Sequence, residues 1–97
     1  MDGLNTQELA TVGIEHLSVA EFEATFVALS QADRSRLRQL SRYFANRCGG
    51  EAEDLLQEAL ARVLAGRRHC PRKISIVQTI VGVLSSLSSE AIEARKK

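Results

Sequence analysis

The chain has 97 residues, the length of one domain, and 44% of them are hydrophobic while 26% are charged. A single Pro and six Gly exclude a collagenous or low-complexity chain, and the apolar fraction is too high for a disordered one. No run approaches the roughly 18 apolar residues of a membrane span, and Met1 to Ala10 lack the basic residues that open a signal peptide. We therefore expect a cytoplasmic protein with no membrane association.

The two parts of the chain carry opposite charge. Residues 1–33 contain no Lys or Arg, and their acidic residues are Asp2, Glu8, Glu15, Glu21, Glu23 and Asp33. Residues 34–97 contain all 13 basic residues and the other acids, so this part is strongly basic. A basic portion is typical of proteins that face nucleic acid or another polyanion, although a solvated surface of mixed charge can have the same composition.

Two capping signals open the helical part of the chain. Ser18 with Glu21 three residues later is a capping-box pattern, and apolar residues at helical spacing follow it. Ser30 with Asp33 repeats the pattern less perfectly ahead of a longer apolar face. Gly49-Gly50 ends that second segment, because Gly adopts positive φ at little cost. These signals predict helices over about 19–29 and 31–48.

The strongest apolar periodicity of the chain begins after Glu51. It predicts a third helix, with acidic residues in the first turn and Gly66 at its end. The apolar positions follow the spacing of one helix face: Ala52, Leu55, Leu56, Ala59, Leu60, Val63 and Leu64. The basic connector that follows contains Pro71, which disfavours helix at the residue before it.

The last third of the chain is rich in β-branched residues from Ile74 to Val83 and would suit a buried strand as well as a helix. Length favours a helix, because one apolar face continues from Val77 to Ile92, beyond the length of an ordinary strand. We therefore predict an all-α fold: a small bundle of three main helices plus a short N-terminal helix. Residues 1–17 are expected to be an acidic segment that can be partly disordered, ahead of a helical domain over 18–97.

The core of this bundle is expected between the last three helices. Leu56, Leu60 and Leu64 should pack against two groups of residues. These are Leu37, Leu40 and Phe44 of the second helix, and Val77, Ile80, Leu84 and Leu87 of the last helix. Phe22 and Phe26 have the spacing of core residues as well.

A polar face lies opposite the leucines of the third helix. At 100° per residue, Asp54, Gln57 and Glu58 lie together and suit Arg or Lys side chains of a partner. The same residues have a purely structural interpretation. In it, Asp54 serves the helix N-terminus and Glu58 pairs with Arg62 at i, i+4.

The run Ala-Glu-Asp-Leu-Leu-Gln-Glu-Ala-Leu-Ala-Arg-Val-Leu over residues 52–64 resembles the second conserved region of bacterial RNA polymerase sigma factors, especially the extracytoplasmic-function group. The preceding helix and the Gly-Gly turn match the order of elements in that family, and the resemblance covers residues 20–95. It implies that Asp54, Gln57 and Glu58 bind the clamp helices of the largest subunit of core RNA polymerase. It also implies contact between the following helix and the −10 promoter element, and an anti-sigma protein as a further partner.

The last helix departs from the family pattern. From Ile76 to Ser89 it has no aromatic residue, no Arg and no Lys, and only Ser85, Ser86, Ser88 and Ser89 offer hydrogen bonds. Promoter DNA is therefore expected to bind weakly, through phosphate contacts from basic residues outside this helix. The candidate residues are Arg34, Arg38, Arg42, Arg67, Arg68, Arg72 and Lys73. A solvated, salt-bridged surface is the other interpretation of this set.

Other chemistry is not indicated. His16, Cys48, His69 and Cys70 lack the paired spacing of zinc ligands, and Cys48 with His69 lacks a third group that would orient a catalytic pair. We expect no metal, no cofactor and no enzymatic activity. The two functions left open are a sigma-like initiation factor domain and a regulatory module of the same fold that binds polymerase, or another protein, without reading a promoter.

Overall fold

A computed structural model describes residues 16–66 and 69–96 of the chain. Within these ranges there are four helices and no strand: α1 (Val19–Val27), α2 (Gln31–Cys48), α3 (Ala52–Leu64) and α4 (Ile76–Lys96). The predicted all-α fold, with three main helices and a short N-terminal one, is confirmed. The predicted acidic segment over 1–17 lies outside the described residues except for its last two.

The caps of α1 and α2 are those that the sequence predicts. The Ser18 hydroxyl accepts a hydrogen bond from the Glu21 N–H at 3.1 Å, and the Glu21 carboxylate accepts one from the Ser18 N–H at 2.9 Å. Ser30 accepts from the Asp33 N–H at 3.1 Å. Gly49 ends α2 with φ of 76°, a conformation that L side chains rarely adopt. Local sequence therefore sets where both helices begin and where α2 ends.

The β-branched stretch near the C-terminus forms a helix. The Ser75 hydroxyl accepts a hydrogen bond from the Gln78 N–H at 3.2 Å, and α4 then continues to Lys96. Its buried residues recur at helical spacing: Ile76, Val77, Ile80, Val83, Leu84, Leu87 and Ser88. Because α4 packs against α2 and α3 and also contacts α1, its apolar face is the centre of the core.

On α3 the packing differs from the prediction. The buried residues are Ala59 and Val63, whereas Leu56 and Leu60 are half-buried and Leu64 is 39% exposed. The expectation that Leu64 packs in the core is wrong. The helix turns Ala59 and Val63 into the core, and Leu56 and Leu60 pack against the core as half-buried residues. Leu60 and Leu64 also line a small apolar cleft beside Phe22 and Phe26 of α1.

The chain ahead of α1 is joined to the connector ahead of α4. His16 and Pro71 form an isolated antiparallel bridge, and the Leu17 N–H donates to the Cys70 carbonyl at 2.8 Å. Leu17 packs against the buried core. None of the helices in the described ranges combines the length and the apolar character that crossing a membrane requires.

Candidate protein-binding and nucleic-acid-binding surfaces

The outward face of α3 carries the predicted partner-binding residues. Ala59 is fully buried and Val63 is 5% exposed, which directs the opposite side of the helix toward solvent. Asp54, Gln57 and Glu58 are all exposed there. Residues three and four positions apart on a helix are neighbours, so this face presents two carboxylates and an amide as one polar surface. We call Asp54, Gln57 and Glu58 the α3 polar face.

One border of the α3 polar face is tied to α4. The Arg62 guanidinium donates two hydrogen bonds to the Glu90 carboxylate, at 3.1 and 3.2 Å. The Nε atom of Arg62 also lies 3.6 Å from an Oε of Glu58, the i, i+4 pair that the sequence predicts. The structural interpretation of Glu58 is therefore supported by geometry, while this carboxylate remains 55% exposed.

Two acidic neighbours stabilise the charged form of Arg62. The hydrogen bonds to Glu90 raise the pKa of Arg62, against the opposing effect of burial, and Glu58 adds a smaller contribution in the same direction. The Arg62 side chain is 23% exposed, and its buried Nε atom has no hydrogen-bond partner among the described residues. This Arg therefore fixes the border of the α3 polar face, because its two neighbouring carboxylates orient it.

Asp54 and Gln57 differ from Glu58 in their surroundings. Within the described part of the chain neither side chain has a hydrogen bond or an ion pair, and both lie in the first turns of α3. The N-cap residue Glu51 makes no side-chain capping bond, so the N-terminal end of α3 is polar and open. The centre of the α3 polar face is thus formed by two exposed side chains that make no bond within the described part of the chain.

Two residues of the predicted nucleic-acid surface are engaged within the fold. Arg34 donates to the carbonyl of Val27 at 2.6 Å and to that of Leu29 at 3.2 Å, which satisfies carbonyls at the C-terminal end of α1. Arg72 donates to both carboxylate oxygens of Glu21, each at 2.8 Å. These two guanidinium groups stabilise the position of α1, a role that the sequence pattern did not predict.

The other predicted basic residues are dispersed. Arg38 and Arg42 are exposed on α2, one turn apart, and Arg38 donates to the Ser35 hydroxyl at 3.3 Å. Lys73 is exposed in the connector. The predicted residues Arg67 and Arg68 lie outside the described ranges.

Sequence reasoning missed an aromatic residue on the same helix. Tyr43 is 54% exposed, and the Arg47 guanidinium carbon lies 5.9 Å from the centre of its ring. The ring also meets Phe44 edge-on, with 5.1 Å between centroids. The exposure of Tyr43 could have been predicted from helix geometry, because Tyr43 lies 100° around the helix axis from the buried Phe44.

The last helix offers less hydrogen-bonding surface than its four serines suggest. Ser88 is 2% exposed and donates to the Phe44 carbonyl at 3.1 Å, so the expectation that its hydroxyl is available to a ligand is wrong. Ser86 is half-buried, which leaves Ser85 and Ser89 exposed. The Ser88 hydroxyl is unavailable because Ser88 lies on the face of α4 that packs against α2.

The candidate metal ligands do not form a site. Cys48 and Cys70 are buried and unpaired thiols, and the rings of His16 and His69 lie 5.0 Å apart between centroids. Across residues 16–66 and 69–96, no group of three or more His, Cys, Asp or Glu side chains is arranged to hold a metal ion.

Comparison of this chain with protein-family models, with the curated proteins and with the solved structures finds no match. The sigma-factor resemblance therefore stays a hypothesis that depends on the run over residues 52–64.

Proposed function

We propose that this chain is a sigma-like transcription factor domain that binds core RNA polymerase through the α3 polar face. The observation that supports this most directly is the exposure of Asp54, Gln57 and Glu58 on a helix whose other face is in the core. These three residues belong to the run that resembles the second conserved region of sigma factors. The activity is binding, with no reaction and no cofactor, and such a factor acts in the cytoplasm.

The chemistry of the α3 polar face suits a basic partner. Carboxylates accept paired hydrogen bonds from Arg, and an amide can donate and accept alongside them. Because the Glu58 carboxylate is already paired with Arg62, Asp54 and Gln57 have the most hydrogen-bonding atoms available to a partner. The resemblance implies that this partner is the clamp helices of the largest polymerase subunit, and that an anti-sigma protein would compete for the domain.

A second candidate function is supported by the basic residues. Arg34 and Arg72 are bonded to α1, so two of the residues expected to contact DNA have other roles. The Ser88 hydroxyl of the last helix is buried as well. Arg38, Arg42 and the Tyr43 ring are exposed on α2. This favours a regulatory module that occupies polymerase, or another protein, and binds promoter DNA weakly through phosphates without reading its sequence.

Binding of purified core RNA polymerase tests the proposal. Asp54→Lys with Gln57→Ala should weaken the complex about tenfold or more, because a charged contact buried at an interface is worth about 2 kcal/mol or more. Glu23→Lys is the matched control, since it makes the same charge change at an exposed residue of α1. Equal affinity of the Asp54/Gln57 variant and the wild type would reject the α3 polar face as the docking surface.

Titration with single-stranded oligonucleotides at two salt concentrations separates the two candidate functions. The regulatory module predicts weak binding that falls steeply with salt and does not depend on sequence. Arg42→Gln should reduce it, because it removes one exposed cation. A clear preference for a −10-like sequence would instead favour the initiation factor domain.

A further inference from the structure

An open cleft of about 780 Å³ lies where α1, α2 and the start of α4 meet. Its apolar lining comes from Leu29, Leu40, Ile74, Ile76, Val77 and Val81. Ile74 is 42% exposed and several of the others are half-buried, so the cleft presents apolar surface to solvent. A continuous apolar concavity of this kind on a small domain is typical of a site that another chain segment covers.

His16, the first described residue, lies beside the connector that leads into this cleft. His16 is opposite Pro71 in an isolated antiparallel bridge, and the neighbouring Leu17 N–H donates to the Cys70 carbonyl at 2.8 Å. Forward from Pro71 the connector reaches Ile74, whose N–H donates to the Pro71 carbonyl at 3.2 Å. Ile74 is part of the cleft lining, so His16, to which residues 1–15 are attached, is paired with a residue only three positions from that lining.

The length and composition of residues 1–15 fit the cleft. Fifteen residues span up to about 50 Å when extended, which is ample for a cleft that starts beside their attachment point. They include four aliphatic side chains, Leu4, Leu9, Val12 and Ile14, and they contain acidic but no basic residues. Among the described lining residues, Arg36 and Asp33 carry opposite charges, and the N-terminal end of α4, whose helix dipole favours negative charge, lies beside them.

We propose that residues 1–15 bind in the cleft between α1, α2 and α4 of the same chain, with their aliphatic side chains on its apolar lining. The segment thereby covers Leu40, Val77 and Val81. This contact is independent of the proposed polymerase-binding function, because the cleft and the α3 polar face involve different residues.

Methyl NMR on the full chain tests this. Leu9 and Val12 methyl groups should give nuclear Overhauser effects to those of Leu40 and Val81. These effects should be lost when isotope filtering selects only contacts between labelled and unlabelled chains in a mixed sample. The double variant Leu9→Asp with Val12→Asp should abolish them and shift the Leu40, Val77 and Val81 methyl signals.

The matched control is Thr6→Asp with Thr11→Asp, which adds the same charge to residues 1–15 but keeps the aliphatic side chains, and it should retain the effects. The buried Val63 methyl signals report that each variant is folded. Effects that persist in the filtered mixed sample would assign the cleft to a second copy of the chain. Their absence in the wild type, with cleft signals unchanged by the Leu9/Val12 variant, would show that residues 1–15 do not bind there.

Discussion

Arg62 of α3 and Glu90 of α4 form a two-bond ion pair, with their atoms 3.1 and 3.2 Å apart, that joins the helix carrying the α3 polar face to the central helix of the core. The same guanidinium lies 3.6 Å from Glu58. The Arg62 side chain therefore connects the α3 polar face to α4.

Removing this cation should cost more than removing one of its acids. Arg62→Met leaves Glu58 and Glu90 without the charge between them, so we expect a larger loss in the free energy of unfolding than for Glu90→Gln. Both losses should shrink at high salt, since screening weakens exposed ion pairs. Denaturant unfolding at two salt concentrations measures this, with Glu93→Gln as the control at an exposed acid of the same helix. Equal losses for Arg62→Met and Glu93→Gln would contradict the role of the pair.

The burial of two leucines predicts which of their substitutions lowers the free energy of unfolding more. Leu84 is fully buried at the centre of the core, so Leu84→Ala should cost about 2–5 kcal/mol, the range for a leucine removed from a packed interior. Leu60 is half-buried at the border of α1 and α3, and Leu60→Ala should cost less. Chemical denaturation monitored by circular dichroism gives both values. A greater loss for Leu60→Ala would mean that α3 packs through its leucines after all.

Two buried serines make different kinds of hydrogen bond, one between two helices and one within a single helix. Ser88 on α4 donates to the Phe44 carbonyl on α2, and we expect Ser88→Ala to cost about 1 kcal/mol, the net value of such a bond. Ser41 donates to the Leu37 carbonyl one turn earlier in its own helix, at 2.7 Å, so Ser41→Ala should be closer to neutral. Thermal and denaturant unfolding of the two variants provide the comparison. The opposite order would show that the α2–α4 bond contributes little.

Stability in acid should depend on Glu21. The hydrogen bond from the Ser18 N–H, followed by those from Arg72, lowers the pKa of the Glu21 carboxyl below its ordinary value of 4.5. A carboxyl whose pKa is lower in the folded state stabilises the fold above its unfolded pKa, and this contribution is lost as pH falls through the folded pKa. Glu21→Gln should thus reduce stability at neutral pH and flatten its decline below about pH 4.5.

That comparison needs unfolding curves for wild type and Glu21→Gln between neutral and strongly acidic pH. Glu23→Gln is the matched control on the same helix, because Glu23 is exposed and has no ion pair among the described residues. Parallel pH profiles for wild type and Glu21→Gln would show that the capping box and Arg72 do not act on this carboxyl.

The helices of this protein follow from local sequence. The capping residues Ser18 and Ser30 and the left-handed Gly49 act within a few positions of themselves, so their effect is visible without any knowledge of packing. The third helix followed in the same way from apolar spacing alone. For α4, β-branched residues made strand and helix locally plausible, and only the length of the apolar face favoured helix.

Tertiary packing decided which residues of a helix face are buried and which charges are paired. Apolar spacing predicted the leucines of α3 as core, but the close approach of α3 to the core is made by Ala59 and Val63. The basic residues show the same limit: Arg72 meets Glu21 across 51 positions of sequence, and Arg34 is used at the end of α1. Periodicity defines a direction around one helix axis, whereas burial and ion pairing depend on where the neighbouring helices lie, and that is known only when they are packed together.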